Sequence, residues 1–249
     1  MHHRGAAWAA LVLVFATQGD AMGQKAADPD MPGGPFASCT GSGPPAERIA
    51  GCTELLKTSR AKNPTRASYL NSRGRAYYQD RRYEQAIDDF SEAIRLNPKN
   101  PESYFNRGDA YDEKKDFDRA IMDYDEALRL RPQVPVVLNN RGLAYSHKRD
   151  YDRAIQDYDE ALRLQPEYPD ALINRGIAYY NKQKLDRAAA DFERSIALRR
   201  QNPKALFNLG ILNYIRGNYA ESVRNTMAGA SFSGLNPQQR DAVTTTEGP

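Results

Sequence analysis

Hydrophobic and small residues recur through the middle of the chain at helical spacing. Between 135 and 168, Leu138, Gly142 and Tyr145 stand four and three residues apart; after a polar break, Tyr151, Ala154, Ile155, Tyr158, Ala161 and Leu162 form a second stripe. Spacing of this kind lines one face of an α-helix, so the segment predicts two amphipathic helices joined by a turn. The pattern returns every 34 residues, with Gly74, Gly108, Gly142, Gly176 and Gly210 in one column. Taking that column as position eight gives copies at 67–100, 101–134, 135–168, 169–202 and 203–234. Pro98, Pro132 and Pro166 fall where the second helices must stop, because proline lacks the amide donor and clashes with the preceding turn. Pro101, Pro135, Pro169 and Pro203 suit the first turn of the next helix, whose amides have no partner in any case.

A single hairpin cannot bury its own stripe, so copies must stack, and stability becomes a sum over neighbours. Small residues at positions 8, 20 and 27, such as Gly142, Ala154 and Ala161, leave room for Tyr145 and Tyr158 to wedge between helices. The expected product is all-α: a right-handed solenoid with a concave and a convex wall. The small and large pattern over 67 to about 230 resembles the tetratricopeptide repeat family, in five copies in phase. It departs from that family at position four, where Leu70, Tyr104, Leu138, Leu172 and Leu206 replace the frequent tryptophan. It departs again in the last copy, where Asn213, Ser222, Thr226 and Gly229 predict a frayed final helix.

Upstream, 47–64 reads as the second helix of a degraded leading repeat spanning 39–66, whose first half has too much Gly and Pro for a full helix. Cys39 and Cys52, the chain's 2 cysteines, fall across that hairpin and are read as one disulfide, the alternative being two buried thiols. Residues 1–23 combine Arg4, an apolar run from Gly5 to Ala16 and a small-residue exit after Ala21 or Gly23. That is the form of a removed export signal and too short a run to span a bilayer, which needs roughly 20 residues; a retained apolar helix is the alternative. The expectation is therefore an exported chain, periplasmic or secreted, with no membrane span once processed. Residues 24–38 and 235–249 read as a mobile linker and tail.

The copies differ unevenly. The stretches starting at Asn106 and Asn140 share 20 of 27 residues, and the non-conservative changes cluster: Asp109 against Leu143, Asp112 against Ser146, Glu113 against His147. These share a face of the first helix opposite its packing stripe. In the resembled family, positions 2, 5, 6, 9, 12 and 13 of the first helices line the concave groove. On that footing the groove is acidic around Phe105, Asp109, Asp112 and Glu113, and then turns apolar through Leu143, Ile173, Ile177 and Tyr180 to Phe207, Ile211 and Tyr214. An exposed apolar run of this sort marks a binding surface. Asn106, Asn140, Asn174 and Asn208 form a column at position six, suited to gripping a peptide backbone through amides that both donate and accept; their alternative use is to satisfy the neighbouring helix. Family members that hold a C-terminal carboxylate use a basic clamp, which is missing at Asn71, Arg75, Phe105, Asp109, Asn139 and Leu143. The expected partner is an internal extended segment or a helix, with apolar side chains and a basic flank. The charges on the second helices, among them Asp88, Asp89, Glu92, Arg95, Asp157, Asp159, Glu160 and Arg163, read as a solvated outer face.

Composition narrows the function further. The 35 basic and 32 acidic side chains leave a net charge of +3, which does not suggest a nucleic-acid binder. No phosphate-binding Gly-rich loop, GxSxG elbow or HExxH motif occurs, and His147 is the one histidine past the first 3 residues. The sequence thus reads as a non-enzymatic protein-binding adaptor, without catalytic residues, metal site or cofactor. Two other classes stay open: a carrier of a small amphipathic ligand in the same groove, and a structural component that self-associates through its end repeats.

Overall fold

The computed structural model describes residues 34–199 and 202–218, with Arg224. Regular structure among them is helical: α1 (Pro35–Thr40), α2 (Pro45–Thr58), α3 (Asn63–Gln79), α4 (Tyr83–Leu96), α5 (Pro101–Glu113), α6 (Phe117–Leu130), α7 (Pro135–His147), α8 (Tyr151–Leu164), α9 (Pro169–Asn181), α10 (Leu185–Leu198) and α11 (Pro203–Ile215). The hairpins α3–α4 to α9–α10 are the first four copies, and α11 opens the fifth. Arg224 aside, the expected second helix of that copy, the export segment 1–23 and the tail 235–249 lie outside the described residues.

The prolines act as expected. Pro101, Pro135, Pro169 and Pro203 begin their helices, and the second helices end at Leu96, Leu130 and Leu164, two residues before Pro98, Pro132 and Pro166. Asp116 and Asp150 cap α6 and α8 by accepting the amides of Arg119 and Arg153, both at 3.2 Å. Each turn inside a hairpin passes through one left-handed residue: Arg81, Lys115, Arg149, Gln183 and, in the fifth copy, Gly217.

The glycine column is a packing requirement. A Cβ on Gly74, Gly108, Gly142 or Gly176 would stand 2.5–2.8 Å from the ring of Phe90, Tyr124, Tyr158 or Phe192, well inside contact distance. These four aromatics, at position 24, are fully buried at the heart of their hairpins. Each helix packs on its sequence neighbours, and the first helices also touch from copy to copy, α3 with α5, α5 with α7, α7 with α9 and α9 with α11. Among the described residues no two second helices approach each other as extensively, so the stack curves with its first helices on the inner side.

At the N-terminal end, α1 and α2 form the cap. Cys39 and Cys52 are bonded, sulfurs 2.04 Å apart, and completely buried. Closing a loop of this length stabilises the folded state by about 3 kcal/mol on the chain-entropy view. Gly51 lets α1 lie against α2, since a Cβ there would come within 2.7 Å of Pro35 O and Ser38 Cβ. The helical cap begins at Pro35, inside the segment expected to be linker, and α2 ends at Thr58 rather than continuing to 64. The six remaining residues of that expected helix are split between a short loop and α3, which starts at Asn63 and is correspondingly longer than the other first helices.

Candidate functional site: the inner face

What holds neighbouring copies together also decides what the inner face has left to offer. Arg73, Arg107, Arg141 and Arg175, at position seven, each grip Asp89, Asp123, Asp157 and Asp191 of the same copy through two nitrogens at 2.5–2.8 Å. Each third nitrogen crosses to the preceding hairpin: Arg73 to Thr53 Oγ1 at 3.1 Å, Arg107 to Ser91 Oγ at 3.0 Å, Arg141 to Asp125 at 2.7 Å and Arg175 to Asp159 at 2.6 Å. The aspartates are 5–6% exposed. Asp89 and Asp157 are therefore not part of a solvated outer face, as their charge had suggested; the hairpin closes over them and supplies a planar cation to each. Bidentate geometry makes such pairs strong and directional, although their desolvation offsets part of the gain. A second, exposed row ties Lys114 to Glu84, Lys148 to Asp118, Lys182 to Asp152 and Arg216 to Asp186; surface pairs of this kind contribute at most about 1 kcal/mol each.

The asparagine column proves to be a third tie. Asn106 Nδ2 donates to Asn71 Oδ1 at 3.2 Å and Asn174 Nδ2 to Asn139 Oδ1 at 3.0 Å, position six of one copy reaching position five of the copy before. Copy two has Phe105 at position five, and there Asn140 Nδ2 donates instead to Asp109 Oδ1 at 3.0 Å. Asn208 donates to Lys204 O within its own helix at 2.9 Å. Each of the four amide nitrogens spends one of its two N–H donors inside the chain, so the column serves first to tie helices.

Ile173 also moves out of the groove. It is 3% exposed and packs with Phe192, Ala205 and Leu209, because position five faces the next first helix, as buried Asn71 and Asn139 do. Tyr180 is half-buried against the same cluster. Phe105, Leu143, Phe207 and Ile211 are partly buried, and Ile177 and Tyr214 are exposed, at 37% and 47%.

Two of the three substitutions that distinguish copies two and three serve buried phenols. Tyr124 donates its hydroxyl to Asp109 Oδ1 at 2.8 Å, and Tyr158 shares a hydrogen bond of 3.3 Å with Ser146 Oγ. The aromatics at the same place in copies one and four are Phe90 and Phe192, which have no hydroxyl to satisfy. Asp109 is largely withdrawn from water, and that burial raises its pKa to about 6 against the pull of Asn140 and Tyr124. Burial also raises the pKa of Asp112, opposed by His147 and reinforced by Glu113. Glu113 accepts from Tyr83 Oη at 3.3 Å and Tyr78 Oη at 3.5 Å, and His147 stacks on Phe117 at 4.7 Å. Sequence reasoning missed the arginine–aspartate column. Its signal was present, since both positions are constant through four copies and both change in the fifth, to Leu209 and Asn225.

The tetratricopeptide repeat family model matches residues 55–135, 139–203 and 181–226. The chain belongs to that family. No curated protein matches it by sequence, but solved structures share the fold. A tetratricopeptide repeat protein from Parabacteroides merdae superposes with TM-score 0.65 at 19% identity, covering 75% of this chain and 74% of that one. PilF of Pseudomonas aeruginosa gives 0.62 at 22%, covering 72% and 87%. MamA of Desulfovibrio magneticus, from residue 41 on, gives 0.60 at 17%, covering 73% and 97%. Tetratricopeptide repeats commonly mediate protein–protein contact or scaffolding. Among the described residues, no helix is long and apolar enough to cross a membrane.

Proposed function

We propose that this tetratricopeptide repeat protein is a non-enzymatic adaptor that holds a polypeptide segment of its partner along the inner face of α5, α7, α9 and α11. The observation that carries the reading is the row of incompletely covered apolar side chains there, Leu143, Ile177, Phe207 and Ile211, downstream of an acidic stretch on α5. Apolar surface left open beside polar surface favours association. With the asparagine amides partly spent on neighbouring helices, side-chain contacts carry most of the recognition. A helix or extended segment with apolar side chains and a basic flank fits this surface.

Changing Ile177 and Phe207 together to Asp places charge on the apolar row. The double variant should keep its helicity by circular dichroism and lose capture of the partner in pull-downs from the native source; unchanged capture rules out this face.

The Cys39–Cys52 bond supports an exported protein, since such bonds persist in oxidising compartments. Trp8 is the chain's 1 tryptophan, so protein recovered from the native host should emit tyrosine fluorescence alone. Tryptophan emission would mean that 1–23 is retained.

A further inference from the structure

The chain neutralises its buried carboxylates with consistency, except in one place. Asp89, Asp123, Asp157 and Asp191 each receive two bonds from an arginine. Asp109 and Asp112, on the inner side of α5, form no ion pair with any lysine or arginine among the described residues. Both hydrogen bonds to Asp109 come from neutral donors, Tyr124 and Asn140. Asp112 Oδ1 is shut off from solvent and has no hydrogen-bond donor among the described residues. Glu113, one residue on, is met by two phenols, and His147 is occupied in stacking on Phe117. Uncompensated burial of this kind lowers stability, and both carboxyl groups show it in pKa values raised chiefly by desolvation. Three carboxylates without a cation, beside an apolar row that stays open, are complementary to a cation that arrives with the partner.

Resting on the reading of the inner face as the docking surface, we infer that the partner segment carries an arginine or lysine whose cation seats between Asp109, Asp112 and Glu113 and pairs with their carboxylates from the open side of the groove, ahead of apolar side chains that lie on Leu143 and Ile177. The charge is complementary, and a buried cation–carboxylate contact is stronger than its surface counterpart. The neutral donors Tyr78, Tyr83 and Tyr124 hold the carboxylates in place without neutralising them, so the full negative charge faces the incoming cation. Register follows from this: the cation fixes one end of the segment, and the apolar side chains follow toward α9 and α11.

The test uses a random library of twelve-residue peptides displayed on phage and selected against the purified full chain. Enriched peptides are then synthesised with the cationic residue intact or replaced by its neutral counterpart, citrulline for arginine and norleucine for lysine. The expected result is a shared arginine or lysine followed by apolar residues, with at least tenfold weaker binding both for the neutral peptides and for the Asp112→Asn protein. That variant keeps the side chain's shape, and its unfolding midpoint should equal or exceed the wild-type value. The inference is overturned if the enriched peptides share no cation, or if they bind Asp112→Asn as tightly as wild type. In either case loss of binding by the Ile177→Asp, Phe207→Asp protein leaves the docking surface standing, whereas retention there removes both. Failure to enrich any peptide also counts against both.

Discussion

Copy two, α5 and α6, and copy three, α7 and α8, are nearly the same sequence and solve the same problem in different ways. Each buries a tyrosine against its glycine, Tyr124 on Gly108 and Tyr158 on Gly142, and each must satisfy the phenol. Copy three does so with Ser146, a neutral group. Copy two does so with Asp109, which also takes over the asparagine tie that Phe105 at position five has interrupted. The divergence that looked like pure partner recognition is thus in part internal hydrogen bonding. Satisfying a phenol needs only a hydroxyl, however, as copy three demonstrates. The charges on Asp109 and Glu113, and the whole of Asp112, exceed what packing requires.

The largest effect should come from what the two copies share. Replacing Arg107 or Arg141 by Met leaves Asp123 or Asp157 buried without a cation, a loss of about 3–5 kcal/mol in chemical unfolding. The Arg141 variant should lose more, because Arg141 also holds Asp125 whereas Arg107 holds the neutral Ser91. Equal or negligible losses would mean that the pairs do not lock the hairpins.

Next in size is the charge on Asp109. Its folded pKa of about 6 lies above the unfolded value of about 4, so the folded state holds the extra proton between those pH values. Stability should therefore fall as pH rises from about 4 to 6 and stay lower above that. Asp109→Asn retains an acceptor for Tyr124 and removes the titration, so it should stabilise the protein by about 1–3 kcal/mol at pH 8 and by nearly nothing at pH 4. Unfolding curves at the two pH values provide the check, and no such alteration is expected for the matching change at Leu143. Smallest is Ser146→Ala, which leaves the Tyr158 hydroxyl without its partner and should cost about 1 kcal/mol.

Much of this architecture could be read directly from the sequence, because the signals were local. The stripes of Tyr151, Ala154 and Tyr158, the prolines at helix starts and the glycine column each follow from backbone and packing rules within one hairpin, and the positions of Cys39 and Cys52 followed from extending the repeat phase upstream. Less accessible were groups whose partner lies 16 to 35 residues away. Asp89 and Asp157 looked solvated because charge usually means surface; only closure of the hairpin brings Arg73 and Arg141 onto them. Asn106 and Asn174 looked available because the next copy's register, not their own helix, supplies their acceptors. Ile173 shared the groove stripe with Ile177 yet turns into the stack, a difference of about one helical turn that periodicity alone does not resolve.

The comparison between the copies can be closed by exchange. A protein carrying Phe105→Asn, Asp109→Leu, Asp112→Ser and Glu113→His gives copy two the inner face of copy three, with a serine for Tyr124 and an asparagine acceptor for Asn140. Its affinity for the cationic peptides selected on the wild-type chain is the deciding measurement. The account predicts intact helicity, stability at or above wild type, and loss of that binding. A stable exchanged protein that still binds them with wild-type affinity would contradict it.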